Sequence, residues 1–370
     1  MQKNFVYWKK LYDSHSLVEF NTNLDGQLWL KTKSIIRREI VAEFIEKFSI
    51  TLNATTLNNQ FEELFSLLSS DLTQSHQWLD LYIREKNDKI LESLQRDSLV
   101  SELYKVQTFE WGGDYQNSLD KYLISRYVKA IEVYDELMSK FEQEINRAVQ
   151  GYVLNSWYNH WSSILIEHIF KLHSSILPTV GQIKSVDFFI NNIPFDLKVT
   201  YFPSEYLKAK RREKQLPVEL TFLKNKAREL SIDFDKSANN SGIYYEITEK
   251  LKDKNDNLSN NVLYQLKSEN MAIVNETQNN PKPLAKWLYE NQGEMRFGAE
   301  NRLFLVLIDT NDFSSSWKLK RNLNLLTPTI NTFLDGFSCK SMSDLEVSVN
   351  YPPGKSQTFT ALADVIFVVK

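Results

Sequence analysis

The chain has 370 residues, 42% of them hydrophobic and 25% charged, with a formal net charge of -3. That is the make-up of a globular protein of about two domains, and a near-neutral total argues neither for nor against nucleic acid. Ten glycines and nine prolines exclude collagen-like and Gly- or Pro-rich low-complexity classes. A single cysteine, Cys339, excludes a disulfide framework and a zinc site built on several thiolates. No stretch approaches the ~18 consecutive apolar residues of a membrane span. The opening Met1-Gln2-Lys3-Asn4 lacks an apolar signal core. The expectation is a soluble, cytoplasmic protein with no membrane partner and no thiol chemistry.

Residues 1–150 read as helical. Ile36, Ile40, Phe44 and Phe48 repeat at helical spacing, followed by Leu57, Phe61, Leu64, Phe65 and Leu68. Trp78, Leu79, Tyr82 and Ile83 suggest a third helix, and Ile90, Leu91, Leu94 and Leu103 a fourth. A longer stripe runs from Leu119 to Ile145, after a break at Trp111-Gly112-Gly113-Asp114. Each is an amphipathic helix with one face to bury.

The texture changes after residue 150. A Trp-rich helix is expected over 154–175, ended by Pro178. Residues 185–200 alternate like a β-hairpin. Strands are expected at 303–308, 344–350 and 357–369. The polar stretch 231–282, rich in Asn, Lys and Ser, reads as an insertion, a flexible loop or a partly helical excursion. The expected organisation is a helical region over 1–150, serving dimerisation or DNA clamping, and an α/β (α+β) domain over 151–370.

Charge is unevenly spread. Residues 1–150 carry 18 Lys and Arg against 23 Asp and Glu. Residues 206–228 carry eight basic side chains against two acidic ones, among them Lys208, Lys210, Arg211, Arg212 and Lys214. A solvated helix is the plain reading of that stretch. A stripe that contacts phosphates is the sharper one. Lys318, Lys320 and Arg321, beside Trp317, form a second candidate of the same kind.

The hairpin carries the chemistry. Asn191-Asn192 suits a two-residue turn, because Asn tolerates positive φ. That turn sets Ile190 opposite Ile193, Phe188 opposite Phe195, and Asp187 opposite Asp196. One face is then uniformly apolar: Val186, Phe188, Ile190, Ile193, Phe195, Leu197 and Val199. A slip of one residue would scatter that set. Asp187, Asp196 and Lys198 share the other face. Opposed carboxylates are destabilising unless neutralised, and oxygen ligands suit Mg²⁺. An ammonium beside such an ion can position water or stabilise charge on a phosphoryl oxygen. The competing reading is an edge hairpin whose Lys198 pairs with a surface carboxylate. Lys198 is the one lysine in the chain with an acid two residues before it.

Asp187, then Asp196-Leu197-Lys198 on the next strand, resembles the PD-(D/E)xK nuclease superfamily, which includes most Type II restriction endonucleases. Val186 stands where that family's proline falls, and Glu167 matches an acid that many members carry on the preceding helix. The resemblance covers residues 157–202 and a strand near 303–308. It implies a restriction-endonuclease-like core, a mixed β-sheet flanked by helices. It also implies Mg²⁺, with Mn²⁺ as a substitute, held by Asp187, Asp196 and the Leu197 carbonyl, with Glu167 completing the site through water. Lys198 would position the attacking water. The implied activity is hydrolysis of double-stranded DNA by a Type II restriction enzyme, as a homodimer alongside a cognate DNA methyltransferase. The alternatives are a repair, recombination or phage-defence nuclease of the same fold, and a non-enzymatic interaction module.

Other chemistry has less to stand on. His160, His168 and His173 cluster without a His-Glu-x-x-His pattern. Asp309 and Asp364 lie at or within apolar strand runs and are lesser candidates for a carboxylate at a cleft. Gly-x-Ser-x-Gly and Walker-type glycine loops are absent.

Overall fold

The computed structural model describes residues 3–14, 16–108, 119–183, 185–291, 300–350 and 358–370. The expected break at 111–114 lies outside them.

The N-terminal part is helical, as expected. Helix α1 (Phe5–Asp13) is capped by Asn4, whose side chain accepts the Tyr7 N–H. Helix α2 (Leu24–Ile35) is capped in the same way by Asn23, and nine of its twelve residues are buried. A helix buried on nearly every side shows no polar stripe, so the periodicity argument passed over it. Then come α3 (Arg38–Lys47), α4 (Leu57–Leu68), α5 (Leu72–Ser93) and α6 (Arg96–Tyr104). The expected third and fourth helices are differently divided: α5 runs unbroken through Leu91, and Leu103 sits in α6. Beyond the undescribed stretch the long stripe is interrupted. Helix α7 (Leu119–Leu123) and α8 (Tyr134–Lys140) are each followed by a π turn, and α9 (Asn146–Leu172) follows the second. No glycine or proline marks these breaks. Helix α9 crosses residue 150 without interruption.

Six strands form one mixed sheet in the order β1-β2-β3-β4-β6-β5. They are β1 (Ile176–Ile183), β2 (Val186–Ile190), β3 (Ile193–Tyr201), β4 (Arg302–Ile308), β5 (Glu346–Asn350) and β6 (Thr358–Val369). Strands β3, β4 and β6 run parallel, and the other pairs are antiparallel. Strand β1 was not anticipated. Pro178 does not end α9, which stops at Leu172, but sits inside β1 at the sheet edge, where its missing N–H is tolerated.

Five helices link β3 to β4: α10 (Ser204–Glu213), α11 (Glu219–Glu229), α12 (Asn240–Lys254), α13 (Asn257–Asn279) and α14 (Lys282–Asn291). Most of the polar stretch 231–282 is therefore helix rather than loop. Asn239 and Asp256 cap its two long helices. Ile243, Ile247, Leu251, Val262 and Leu266 bury against Phe222 and Leu223 in a small core of their own. A 3₁₀ segment (Phe313–Arg321), α15 (Leu323–Phe337) and α16 (Met342–Leu345) lead from β4 to β5.

Helices cover both faces of the sheet. Phe188, Ile190, Phe195, Leu197, Leu303, Leu305 and Leu307 meet α9 and α15 through Ile166, Phe170, Ile330 and Leu334. On the opposite face Phe304, Val306, Ile308 and Val365 meet α10, α13 and α14. The N-terminal helices share a core with the hairpin region, because Trp8, Trp29, Phe44 and Ile83 cluster with Leu177, Ile183, Val186 and Phe189. Polar contacts fix that junction. Lys31, wholly buried, donates to Asp80 at 2.5 Å and to the turn residue Asn192 at 2.8 Å. Gly181 is required in β1: a Cβ there would lie 2.4 Å from the Ser34 carbonyl oxygen. No helix among the described residues is long and apolar enough to cross a membrane.

Candidate active site

The β2–β3 turn has the expected form. Asn191 and Asn192 take φ of 50° and 66°, and Ile190–Ile193, Phe189–Pro194 and Phe188–Phe195 pair in the expected register. Beyond Phe195 the strands part. The Asp196 N–H donates to the Asn301 carbonyl at 3.0 Å, and β3 pairs with β4 from Asp196–Arg302 onward. Asp187 then meets β3 through its side chain, its Oδ2 accepting the Leu197 N–H at 2.7 Å. The two acids thus stand where an antiparallel pairing gives way to a parallel one.

Their environments differ. Burial pushes the Asp187 carboxyl up to about 6, and the negative charges of Asp196 and Glu167 push the same way against the Leu197 N–H and Lys198. Asp196 is 7% exposed. Lys198 Nζ lies 2.9 Å from its Oδ1 and 2.8 Å from its Oδ2. Only the first contact has hydrogen-bond geometry, which leaves Oδ2 buried without a hydrogen bond.

A second cation stands behind Asp196. Arg302 Nε is 3.8 Å from Oδ2 and is itself buried without a hydrogen bond. Its Nη2 lies 3.3 Å from Glu300 Oε2, and its guanidinium lies 4.8 Å from the Tyr289 ring centre. Glu300 also accepts from Ser185 Oγ, and its carbonyl takes the Tyr289 hydroxyl at 2.6 Å. Sequence reasoning missed Arg302 and Glu300. The only signal was a charged residue opening an apolar run, and the β3–β4 pairing alone sets it beside Asp196.

Glu167 stands on α9 and is paired with Lys171 at 2.8 Å. It bears on Asp187 as a like charge. Leu197 contributes its N–H to Asp187 and its side chain to the core. Among the described residues no group of three or more His, Cys, Asp or Glu side chains is arranged to hold a metal ion. The hairpin supplies two mutually repelling carboxylates, one with a buried oxygen lacking a hydrogen bond. That all-oxygen donor set fits a hard divalent cation.

The candidate phosphate contacts divide sharply. Arg211 is wholly buried, so it is corrected to a structural residue. Its guanidinium donates to the Pro217 carbonyl at 2.7 Å, Asn270 Oδ1 at 2.7 Å and Glu269 Oε2 at 2.6 Å. Arg321 is likewise enclosed, donating to the Leu103 and Val106 carbonyls at 2.6 and 2.5 Å at the C-terminal end of α6. Lys320 is 7% exposed. It donates to Asn159 Oδ1 at 2.7 Å, and burial lowers it to about 8. These three do not present themselves to DNA. Lys208, Lys210 and Lys214 pair with Glu205, Glu213 and Glu276. Arg212 is exposed, and Lys318 is half-buried beside Trp317. Of the lesser carboxylates, Asp309 pairs with Lys370 and Asp364 with Lys340. His173 bridges Ser175 and Asp335 at the end of α9.

No family model matches this chain, and neither the curated proteins nor the solved structures contain a match to it.

Proposed function

We propose that the protein is a Mg²⁺-dependent endonuclease that hydrolyses phosphodiester bonds of double-stranded DNA, a Type II restriction enzyme of the PD-(D/E)xK kind. One observation carries the reading. Asp187 and Asp196 crowd each other on neighbouring strands while Lys198, two residues on, reaches the second acid. The sheet flanked by helices and the acidic Glu167 on the preceding helix support it. A homodimer on a two-fold target and a companion methyltransferase belong to the same reading.

In-line hydrolysis needs an oriented water and stabilisation of the charge that builds on the phosphoryl oxygens. Asp187 and Asp196, with the Leu197 carbonyl and Glu167 through water, would hold Mg²⁺, which when bound polarises the phosphate and acidifies water. Lys198 has a side chain 46% exposed, so it can turn from Asp196 toward the water or a phosphoryl oxygen. Arg302 stays behind and keeps Asp196 from swinging free. Phe189 and the N-terminal helices exclude water from one side of the hairpin.

The test is incubation with Mg²⁺ and a long duplex of known sequence, with the ends mapped. Discrete fragments are expected, lost in Asp196→Ala and Lys198→Ala while DNA binding survives. Cleavage retained by purified Asp196→Ala would refute the site, and degradation without discrete ends would refute sequence specificity.

A further inference from the structure

Asp196 has two cationic neighbours of unlike character. Arg302 is buried and held in place by Glu300 and the Tyr289 face. The Lys198 side chain is 46% exposed against 9% for Asp196, and no other side chain holds its ammonium among the described residues. Both lie against one carboxylate. Lys198 spans both oxygens at 2.8–2.9 Å, while Arg302 stands off at 3.8 Å. An ammonium bonded to one oxygen and 2.8 Å from the other competes with any other positive ion for that carboxylate.

We infer that Lys198 is the resident cation of this site and yields its place on Asp196 when a divalent cation binds, while Arg302 stays as the fixed partner. This rests on reading Asp187 and Asp196 as a cation-binding pair. It adds a coupling between two events that are otherwise independent. Lys198 is tied up on Asp196 until the site is loaded, and loading frees its ammonium for a water or a phosphoryl oxygen. Geometry allows the exchange at small cost. The freed ammonium moves into solvent, where a lysine is well hydrated. Asp196 keeps Arg302, so its charge is never left buried alone. Asp187, crowded by Asp196, supplies the second carboxylate that makes a divalent ion the stronger competitor.

Mutual exclusion is reciprocal, and this makes the inference testable without any substrate. Ca²⁺ alone is titrated calorimetrically into the wild type, Lys198→Met, and a control, Lys252→Met, which removes a surface pair with Glu249. Lys198→Met is expected to bind Ca²⁺ about tenfold more tightly than wild type, and Lys252→Met to match wild type. In the wild type, amine acylation of Lys198, followed by peptide mass spectrometry, is expected to speed up when Ca²⁺ is added. Equal Ca²⁺ affinity of Lys198→Met and wild type would overturn the exchange, as would a Lys198 reactivity that Ca²⁺ leaves unchanged. Absence of Ca²⁺ binding in both proteins would overturn it too. The nuclease reading fails separately. Tighter Ca²⁺ binding by Lys198→Met, with no DNA cleavage by wild type, keeps the exchange and rejects the nuclease. Cleavage with unchanged Ca²⁺ affinity does the reverse.

Discussion

Replacing Asp187 with Asn should stabilise the metal-free protein and inactivate it. The carboxyl is pushed from its ordinary 3.8 to about 6, with burial as the largest cause and Asp196 next. An acid raised in the folded state binds its proton more tightly there than in the unfolded chain. Stability from this group is therefore full below about pH 4 and is lost as pH rises through about 6. Roughly two pKa units correspond to about 3 kcal/mol of penalty carried at pH 8. Asn removes the charge, and its Oδ1 can still accept the Leu197 N–H, so Asp187→Asn should recover up to about 3 kcal/mol at pH 8. Near pH 4 the wild-type acid is neutral in the folded state and about half ionised in the unfolded chain, so the gain should shrink to under about 1 kcal/mol. Urea denaturation with a chelator present, at pH 4, 6 and 8, measures this as a shift of midpoint at constant slope. Adding Mg²⁺ should then stabilise wild type alone, by mass action. A variant less stable than wild type at pH 8, or a gain independent of pH, would refute the electrostatic account. A half-buried charge kept at a cost to stability is what the proposed site requires of Asp187.

Further outcomes follow from the same structure. Arg211→Met takes the guanidinium from Glu269 Oε2, Asn270 Oδ1 and the Pro217 carbonyl, so unfolding free energy should fall by about 3–5 kcal/mol, while the salt dependence of any DNA binding stays as in wild type. Gly181→Ala drives a methyl into the Ser34 carbonyl and should cost about 1–3 kcal/mol, seen as a lower urea midpoint; a neutral result would show that β1 can move away from α2. Asn301→Leu removes the amide that bonds Asn21, the Pro194 carbonyl and the Leu362 N–H. It should cost about 2–4 kcal/mol, and limited proteolysis should cut first among the N-terminal helices.

The hairpin could be read from the chain because its information is local. Asn191-Asn192 permits the turn, and period-two alternation from Phe188 to Leu197 allows one register only. Helices α3, α4 and α5 were visible for the same reason, each having a polar and an apolar side. Helix α2 was not, since its burial on nearly all sides erases the pattern. Helices α12 and α13 could be read only as an insertion, a flexible loop or a partly helical excursion, because Asn, Lys and Ser cover their exposed faces and the spaced Ile and Leu that bury them are few. Strand β1 was hidden by Pro178, a residue that an edge position tolerates and an interior one does not.

Composition and alternation were enough to set the hairpin register from Ile190–Ile193 to Phe188–Phe195, because a two-residue turn fixes it. Beyond that pair the strands part, and Asp187 meets β3 through its side chain on the Leu197 N–H instead of by ladder pairing with Asp196. What lies beside Asp196 was settled only by tertiary structure. Arg302 is 106 residues away in sequence, and parallel pairing of β3 with β4 sets it there. The same distance hid the fate of the basic residues. Arg211 and Arg321 read as surface cations until α13 and the end of α6 close over them, since a side chain's charge is local but its burial belongs to the whole fold. The near-neutral total therefore includes cations enclosed in the core, Arg211 and Arg321 among them.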